Sequence, residues 1–243
     1  MLEHVKIDDV LFLDIETVPG VSQFNSLDPY VQELWEEKKG KHKTEEDSTE
    51  AYYFSNAGIF AEFGKIICIT VGRTSQTGMF QEFELISFYG DDEVKLLIEF
   101  STFLQQEHKK KRNLTLCGHN IREFDIPYIC RRMVVNQLPL PAMLDLAGKK
   151  PWETKHLIDT MELWKFGDSK NYTSLKLLAA VLGFPSPKDD IDGSDVGRVY
   201  WEDNDLDRLS LYCEKDVLAT VQLLLRFKRM PLLQQEQIVH IRG

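Results

Sequence analysis

Residues 10–15, VLFLDI, form a nearly continuous apolar run whose end carries an acid, and Glu16 follows at once. Pro19 and Gly20 come soon after. A run this short and this apolar folds as a buried strand, and proline with glycine marks its turn. Whatever sheet the chain builds must therefore carry two carboxylates, Asp14 and Glu16, at the mouth of a buried strand. Alternation sets these side chains on one face, about 6.6 Å apart along the chain. Two readings fit such a pair: a site for a hard divalent cation, or an exposed strand end. The same spacing recurs at Asp91-Asp92-Glu93, where helix-start acids explain it fully. Directly after VLFL, water is a poor substitute for a partner.

The rest of the chain supplies strands and helices in an order that limits the architecture. Residues 28–56 are charged and helix-prone, with Leu34 and Trp35 as apolar anchors. They read as an inserted helical pair or arm, with KKGKHKTEEDSTE as its mobile stretch. KIICITVGR (65–73) and MFQEFELISFY (79–89) read as strands, and TSQTG between them supplies a hairpin turn. Residues 91–108 form a helix, with Val94, Leu97, Ile98, Phe100, Phe103 and Leu104 at helical spacing. NLTLCGHN (113–120) is a short strand ending at Gly118. Residues 124–137 are helical with Pro127 in the first turn. Ser174 caps SLKLLAAVLG, which Gly183 closes. Residues 204–227 carry the strongest helix signal. An early hairpin followed by alternating elements predicts an α/β fold with a mixed sheet flanked by helices.

Two more acidic positions stand on these elements. His119-Asn120-Ile121-Arg122-Glu123-Phe124-Asp125 leaves the short strand and enters a helix. Either Asn120 or Asp125 caps that helix, or Asp125 has a metal role and Asn120 a substrate hydrogen bond. On the last helix Tyr212 and Asp216 are four residues apart, hence on one face. Leu209, Cys213, Val217 and Thr220 lie near that stripe, so it faces the protein. A carboxylate turned inward needs a partner, either a basic side chain or a metal.

Composition narrows the function classes. Of 243 residues, 43% are apolar and 28% charged, which excludes disorder of the whole chain. No apolar run approaches the roughly 20 residues needed to cross a bilayer. The N-terminal stretch sets acids beside its apolar segment, unlike a secretory signal. The four cysteines are spread without any CxxC, which disfavours a disulfide framework or zinc ribbon and points to a reducing cytoplasm. Lys plus Arg total 29 against 39 Asp plus Glu, a net charge of -10. That balance argues against broad, non-specific nucleic-acid binding, but not against an enzyme that meets phosphates through bound cations.

Taken together, FLDIET (12–17), GHNIREFDIPYICRR (118–132) and YCEKD (212–216) resemble the three motifs of the DEDD 3'–5' exonucleases. Tyr212 resembles the DEDDy branch. The similarity is strongest to the predicted exonuclease family related to the proofreading domain of family B DNA polymerases, where Asn is followed by Phe-Asp, as at Asn120, Phe124 and Asp125. HLIDTMELWKFG, SLKLLAAVLG and KDDIDGSDV are similar to that family as well. The resemblance runs from about residue 10 to 228, with the charged arm its least familiar part.

The resemblance implies a ribonuclease H-like fold, with early antiparallel and then parallel strands, in one exonuclease domain over 1–243. It implies two divalent cations, Mg²⁺ or Mn²⁺: Asp14, Glu16 and Asp216 around the first, Asp14 bridging, and Asp125 holding the second through water. Tyr212 would aim the attacking water, since a phenol of pKa about 10 is a poor base at neutral pH. The backbone near Thr17 would meet the terminal 3'-hydroxyl, Asn120 would contact the nucleotide, and Phe124 would either stack on a terminal base or pack the helix entry. His119 is structural; Asp159, Asp189, Asp190 and Asp192 are caps, turns or solvated loop; Trp152, Trp164 and Trp201 are packing residues. The implied partner is a nucleic acid with a free 3' end, single-stranded or frayed DNA, cut to nucleoside 5'-monophosphates. An exoribonuclease of the same superfamily shares this chemistry. A non-catalytic nucleic-acid-binding module is disfavoured by the presence of all four acids and the tyrosine.

Overall fold

The structure is a computed structural model and describes residues 2–39, 48–77, 80–168, 172–185 and 191–242. The apolar run becomes strand β1, Val10–Pro19. It continues well past Ile15 because its antiparallel neighbour keeps pairing with it, as far as Pro19 opposite Gly64. The charged segment forms a helical pair, α1 (Pro29–Lys39) and α2 (Thr49–Asn56). Most of the stretch expected to be mobile, 40–47, lies outside the described residues. Trp35 is the anchor, buried with Tyr53 and Phe63 at ring-centroid distances of 5.2 and 5.0 Å. Leu34, expected beside it, faces solvent, because successive helical residues point about 100° apart.

Strands β2 (Gly64–Thr77) and β3 (Phe80–Tyr89) form the hairpin, and β2 extends into the expected turn as far as Thr77; residues 78–79 lie outside the described residues. Helix α3 (Glu93–Lys110) starts at Asp92, whose Oδ1 accepts the Lys95 N–H at 3.0 Å. It buries Leu96, Leu97, Phe100 and Leu104, whereas Val94 and Ile98, expected in that stripe, are exposed. Then come β4 (Thr115–Gly118), α4 (Asp125–Val135, with Pro127 in its first turn), β5 (Leu157–Asp159), α5 (Thr160–Lys165), α6 (Leu175–Leu182), α7 (Val196–Trp201), α8 (Leu206–Lys228) and β6 (Ile238–Arg242). Ser174 caps α6 and Gly183 ends it in the left-handed region, as expected. Strands β5 and β6 are not anticipated: the first is three residues long, too short for alternation to register.

The sheet order is β5-β4-β1-β2-β3-β6. β1, β2 and β3 are antiparallel neighbours; β4 joins β1, β5 joins β4 and β6 joins β3 in parallel. This is the mixed, helix-flanked sheet of the ribonuclease H-like fold, antiparallel first and parallel afterwards. Alternation sorts β1 between two cores. Leu11, Leu13 and Ile15 pack with Leu97 and Phe100 of α3 and Ile129 of α4. Val10 and Phe12 pack with Val217, Val221 and Leu224 of α8. Burying each such side chain contributes about 1.5–3 kcal/mol.

Two further features seat the helices that matter for the site. Opposite Phe12, position 72 is glycine; a Cβ there would lie 2.5 Å from the Phe83 ring and 2.9 Å from Val217, so the missing side chain lets α8 close onto the sheet. On the other face, Arg132 of α4 forks onto Glu93 of α3 at 2.6 and 2.9 Å, and the same carboxylate accepts the Ile66 N–H at 2.8 Å. Among the described residues no helix is long and apolar enough to cross a membrane.

Candidate active site

Asp14 and Glu16 continue the Val10–Phe12 side of β1, so they emerge on the α8 face just where the apolar residues stop. Across the ladder they stand opposite Thr70 and Cys68. The register slips between Glu16 and Thr17, a bulge of the kind that re-aims a side chain at a sheet rim. Thr17 thereby meets the Tyr128 hydroxyl, which donates to the Gly58 carbonyl at 2.8 Å.

Strand β4 pairs with β1 only as far as Phe12. The chain then turns through Asn120, held at φ +69, a conformation asparagine tolerates better than most residues. Asp125 opens α4 and is 3% exposed. Its carboxylate accepts the backbone N–H of Ile15 and its own. The turn before it is pinned by Asp159, which accepts the N–H groups of Asn120 and Arg122 and also caps α5 at Met161 and Glu162. Asp159 is thus a cap, as expected, and an anchor for the site as well. His119 is structural, as expected: its Nε2 donates to the Thr173 carbonyl at 3.0 Å, and burial pushes its pKa down.

Helix α8 brings the last pair. Tyr212 and Asp216 lie one turn apart, both half-buried. The four acids and the tyrosine sense one another. Burial raises Asp14 well above the usual carboxylate range, and the charges of Asp125 and Asp216 raise it further; against these, the Cys213 thiol that donates to Asp14 favours the anion. Burial, Asp14 and Asp216 do the same to Glu16. Burial pushes Asp125 up to about 7 despite its two backbone hydrogen bonds, with Asp159 and Asp216 adding to it. Burial and then Asp216, Glu16 and Asp14 raise the Tyr212 phenol. One ligand atom each from Asp14, Glu16 and Cys213 lies within 4.8 Å of the other two. Such crowding of like charge in a poorly solvated place is unfavourable without a compensating cation.

Beside the acids a cleft of about 260 Å³ is lined by Glu16, Thr17 and Phe124 together with Phe54 and Ile59. The arm therefore contributes a wall through α2 and the turn after it, which its charged sequence does not announce. The Phe124 ring is half-buried and packs on Tyr128 at 5.4 Å. Asn120 does not line this cleft. A larger cavity of about 660 Å³ lies beside β5, between residues near the N-terminus and Glu162, and none of the four clustered acids lines it. Among the tryptophans, Trp164 stacks on Phe227 and Trp201 packs on Tyr200, whereas Trp152 is exposed. Asp189 and Asp190 lie outside the described residues. The sequence had marked Cys213 only as inward-facing; its contact with Asp14 is a product of how α8 seats on β1.

Comparison with known proteins agrees with this architecture. The fold is similar to that of the family B DNA polymerase from the hyperthermophilic archaeon Pyrobaculum calidifontis, at 18% identity and a TM-score of 0.50. The match covers 90% of this chain and 24% of the polymerase, so the chain spans about a quarter of that protein. No curated protein sequence matches the chain. A family model matches residues 59–239, well over half of the chain. That stretch holds Asn120, Phe124, Asp125, Tyr212 and Asp216, while Asp14 and Glu16 precede it and join the others through β1. The chain belongs to the family of predicted 3'-5' exonucleases related to the exonuclease domain of PolB.

Proposed function

We infer that the chain is a metal-dependent 3'–5' exonuclease acting on single-stranded or frayed DNA, with residues 1–243 as one exonuclease domain. The observation that carries this reading is the convergence of Asp14, Glu16, Asp125 and Asp216, from three distant stretches of chain, under Tyr212. The raised pKa values of Asp14, Glu16 and Asp125 describe a cluster that resists full ionisation until positive charge arrives. An all-carboxylate set of oxygen donors fits Mg²⁺ or Mn²⁺. Asp14, Glu16 and Asp216 would hold one cation, and Asp14 with Asp125, the latter through water, a second. When bound, such a pair supplies a water of lowered pKa and stabilises charge on the attacking and leaving oxygens.

The chain's own groups do the rest. The Tyr212 phenol keeps its proton throughout the physiological range, so it orients the attacking water by a hydrogen bond and does not deprotonate it. Thr17, just past the bulge, lines the cleft, and its backbone would meet a terminal 3'-hydroxyl there. Phe124 offers a ring for the terminal base to stack on, and Phe54 and Ile59 line the same cleft. A cleft of about 260 Å³ with Phe124, Phe54 and Ile59 in its lining suits one splayed base better than a base pair, which supports a single-stranded or frayed end. Asn120 contacts the nucleotide from outside this cleft. The products are nucleoside 5'-monophosphates. All four cysteines are free thiols, which supports a reducing, cytoplasmic setting.

The test is degradation of end-labelled single-stranded DNA and RNA by the full chain, with Mn²⁺ or with EDTA. Mononucleotides should leave from the 3' end, faster from DNA, and EDTA should stop the reaction. Faster release from RNA would make the chain an exoribonuclease. Release from the 5' end, or none from either polymer, would end the reading.

A further inference from the structure

Cys213 lies between Tyr212 and Asp216 in sequence but on the stripe of α8 that turns fully into the sheet. Its sulfur is 3.5 Å from Oδ2 of Asp14 and 3.5 Å from the Asp14 carbonyl oxygen. Leu209 and Val217, one turn to either side of it, are aliphatic, whereas Ser210 and Glu214 beside it are buried polar groups.

The partners beneath it decide where its proton goes. Cys68, opposite Glu16 on β2, touches the Cys213 sulfur. The Cys68 sulfur meets the Thr70 hydroxyl at 3.6 Å, and Thr70 meets Ser87 at 3.0 Å. Ser87 donates to Oε1 of Glu214 at 2.9 Å, and Oε2 of Glu214 meets Nδ1 of His240 at 2.6 Å. Each hydroxyl or thiol has one proton to give. Ser87 spends its proton on Glu214, so Thr70 donates to Ser87 and Cys68 to Thr70. The Cys213 proton is left with the better acceptor, the Asp14 carboxylate.

We propose that Cys213 is a positioning residue: its thiol holds Oδ2 of Asp14 toward the core, so that the other carboxylate oxygen is presented to the cation. The role rests on the metal-dependent reading above. A thiol suits it because it is a weak donor acting at long range, restraining the carboxylate's rotation without drawing off the charge a cation needs. Groups that orient a ligating carboxylate in this way typically change metal affinity 10- to 100-fold when removed.

The experiment measures Mn²⁺ binding to the full chain by calorimetry, for the wild type, Cys213→Ala, Cys213→Ser and Asp14→Asn, with thermal midpoints in EDTA. Cys213→Ala should bind roughly tenfold more weakly or worse. Cys213→Ser, which keeps a donor, should recover most of that affinity, while the two midpoints in EDTA stay close to each other. Unchanged affinity in Cys213→Ala would overturn the proposal. So would a Cys213→Ser variant that binds as poorly as Cys213→Ala, because the loss would then follow packing rather than the donor. If Cys213→Ala does not fold, near-wild-type binding by Cys213→Ser supports the proposal and strongly weakened binding overturns it. Should Asp14→Asn bind Mn²⁺ as tightly as the wild type, it is the metal reading of this site that fails.

Discussion

Oδ1 of Asp159 accepts the backbone N–H of Asn120 at 3.0 Å. With its other oxygen on the Arg122 N–H, one buried carboxylate at the end of the shortest strand fixes the turn that delivers Asp125. Asp159→Ala should therefore act on fold and site together. It removes a helix cap, worth about 1 kcal/mol, and leaves two backbone N–H groups unpaired at about 1–3 kcal/mol each. A loss of about 3 kcal/mol or more in urea denaturation is expected, with turnover reduced as well. A change well under 1 kcal/mol would mean that the turn holds itself.

Asp14 and Asp216 work against stability when no cation is present. Asp14→Asn or Asp216→Asn should abolish divalent-dependent mononucleotide release, yet raise stability in EDTA by about 0.5–2 kcal/mol, the usual yield of relieving a strained functional site. Thermal unfolding with and without Mn²⁺ checks both halves, since the stabilisation by Mn²⁺ should shrink as the EDTA midpoint rises. Full retained activity in either variant would remove that residue from the site.

Tyr212→Phe isolates the hydroxyl. Because the phenol stays protonated, its loss should cost orientation only: kcat falls by up to about 100-fold, while metal affinity and the shape of the pH–rate profile are preserved. Calorimetry with Mn²⁺ and kcat measured across pH give the answer. Metal binding lost along with the hydroxyl would make the tyrosine part of the cation site instead.

Asp125 sets a pH dependence with a definite sign. Its pKa is about 7 in the folded chain against 3.8 ordinarily. Between those values the folded state holds a proton that the unfolded state has lost, so this group's contribution is greatest below the lower value and is lost as pH rises through the upper one. In EDTA the wild type should lose stability relative to Asp125→Asn as pH goes from roughly 4 to 7 and level off above that. Saturating Mn²⁺ should flatten the difference on the wild-type side. A gap that stays constant with pH would show that Asp125 is already ionised in the fold.

The positions of most elements are legible locally. The VLFL run, the hairpin, the Asp92 and Ser174 caps and the long final helix each rest on neighbours within a few residues, and each forms as its pattern requires. The places of the acids at 14, 16, 125 and 216 on strand mouth, helix entry and helix face are legible for a similar reason, whereas their joint role is what the resemblance to the exonuclease family implies. Where periodicity misleads, the error is one of rotation. Val94 and Ile98 belong to an amphipathic helix, but the sheet selects Leu96, Leu97, Phe100 and Leu104 as its buried face.

What the sequence determines by itself, then, is which segments become strands and helices and which carboxylates stand at their ends, because these depend on contacts along the chain. Tertiary structure alone decides the three-residue β5, the parallel docking of β6 on β3, the slip between Glu16 and Thr17, the arm's wall along the cleft, and the thiol of Cys213 against Asp14. Each depends on pairing between residues far apart in sequence, and the energy that selects it comes from surfaces that meet only after the sheet has closed under α8.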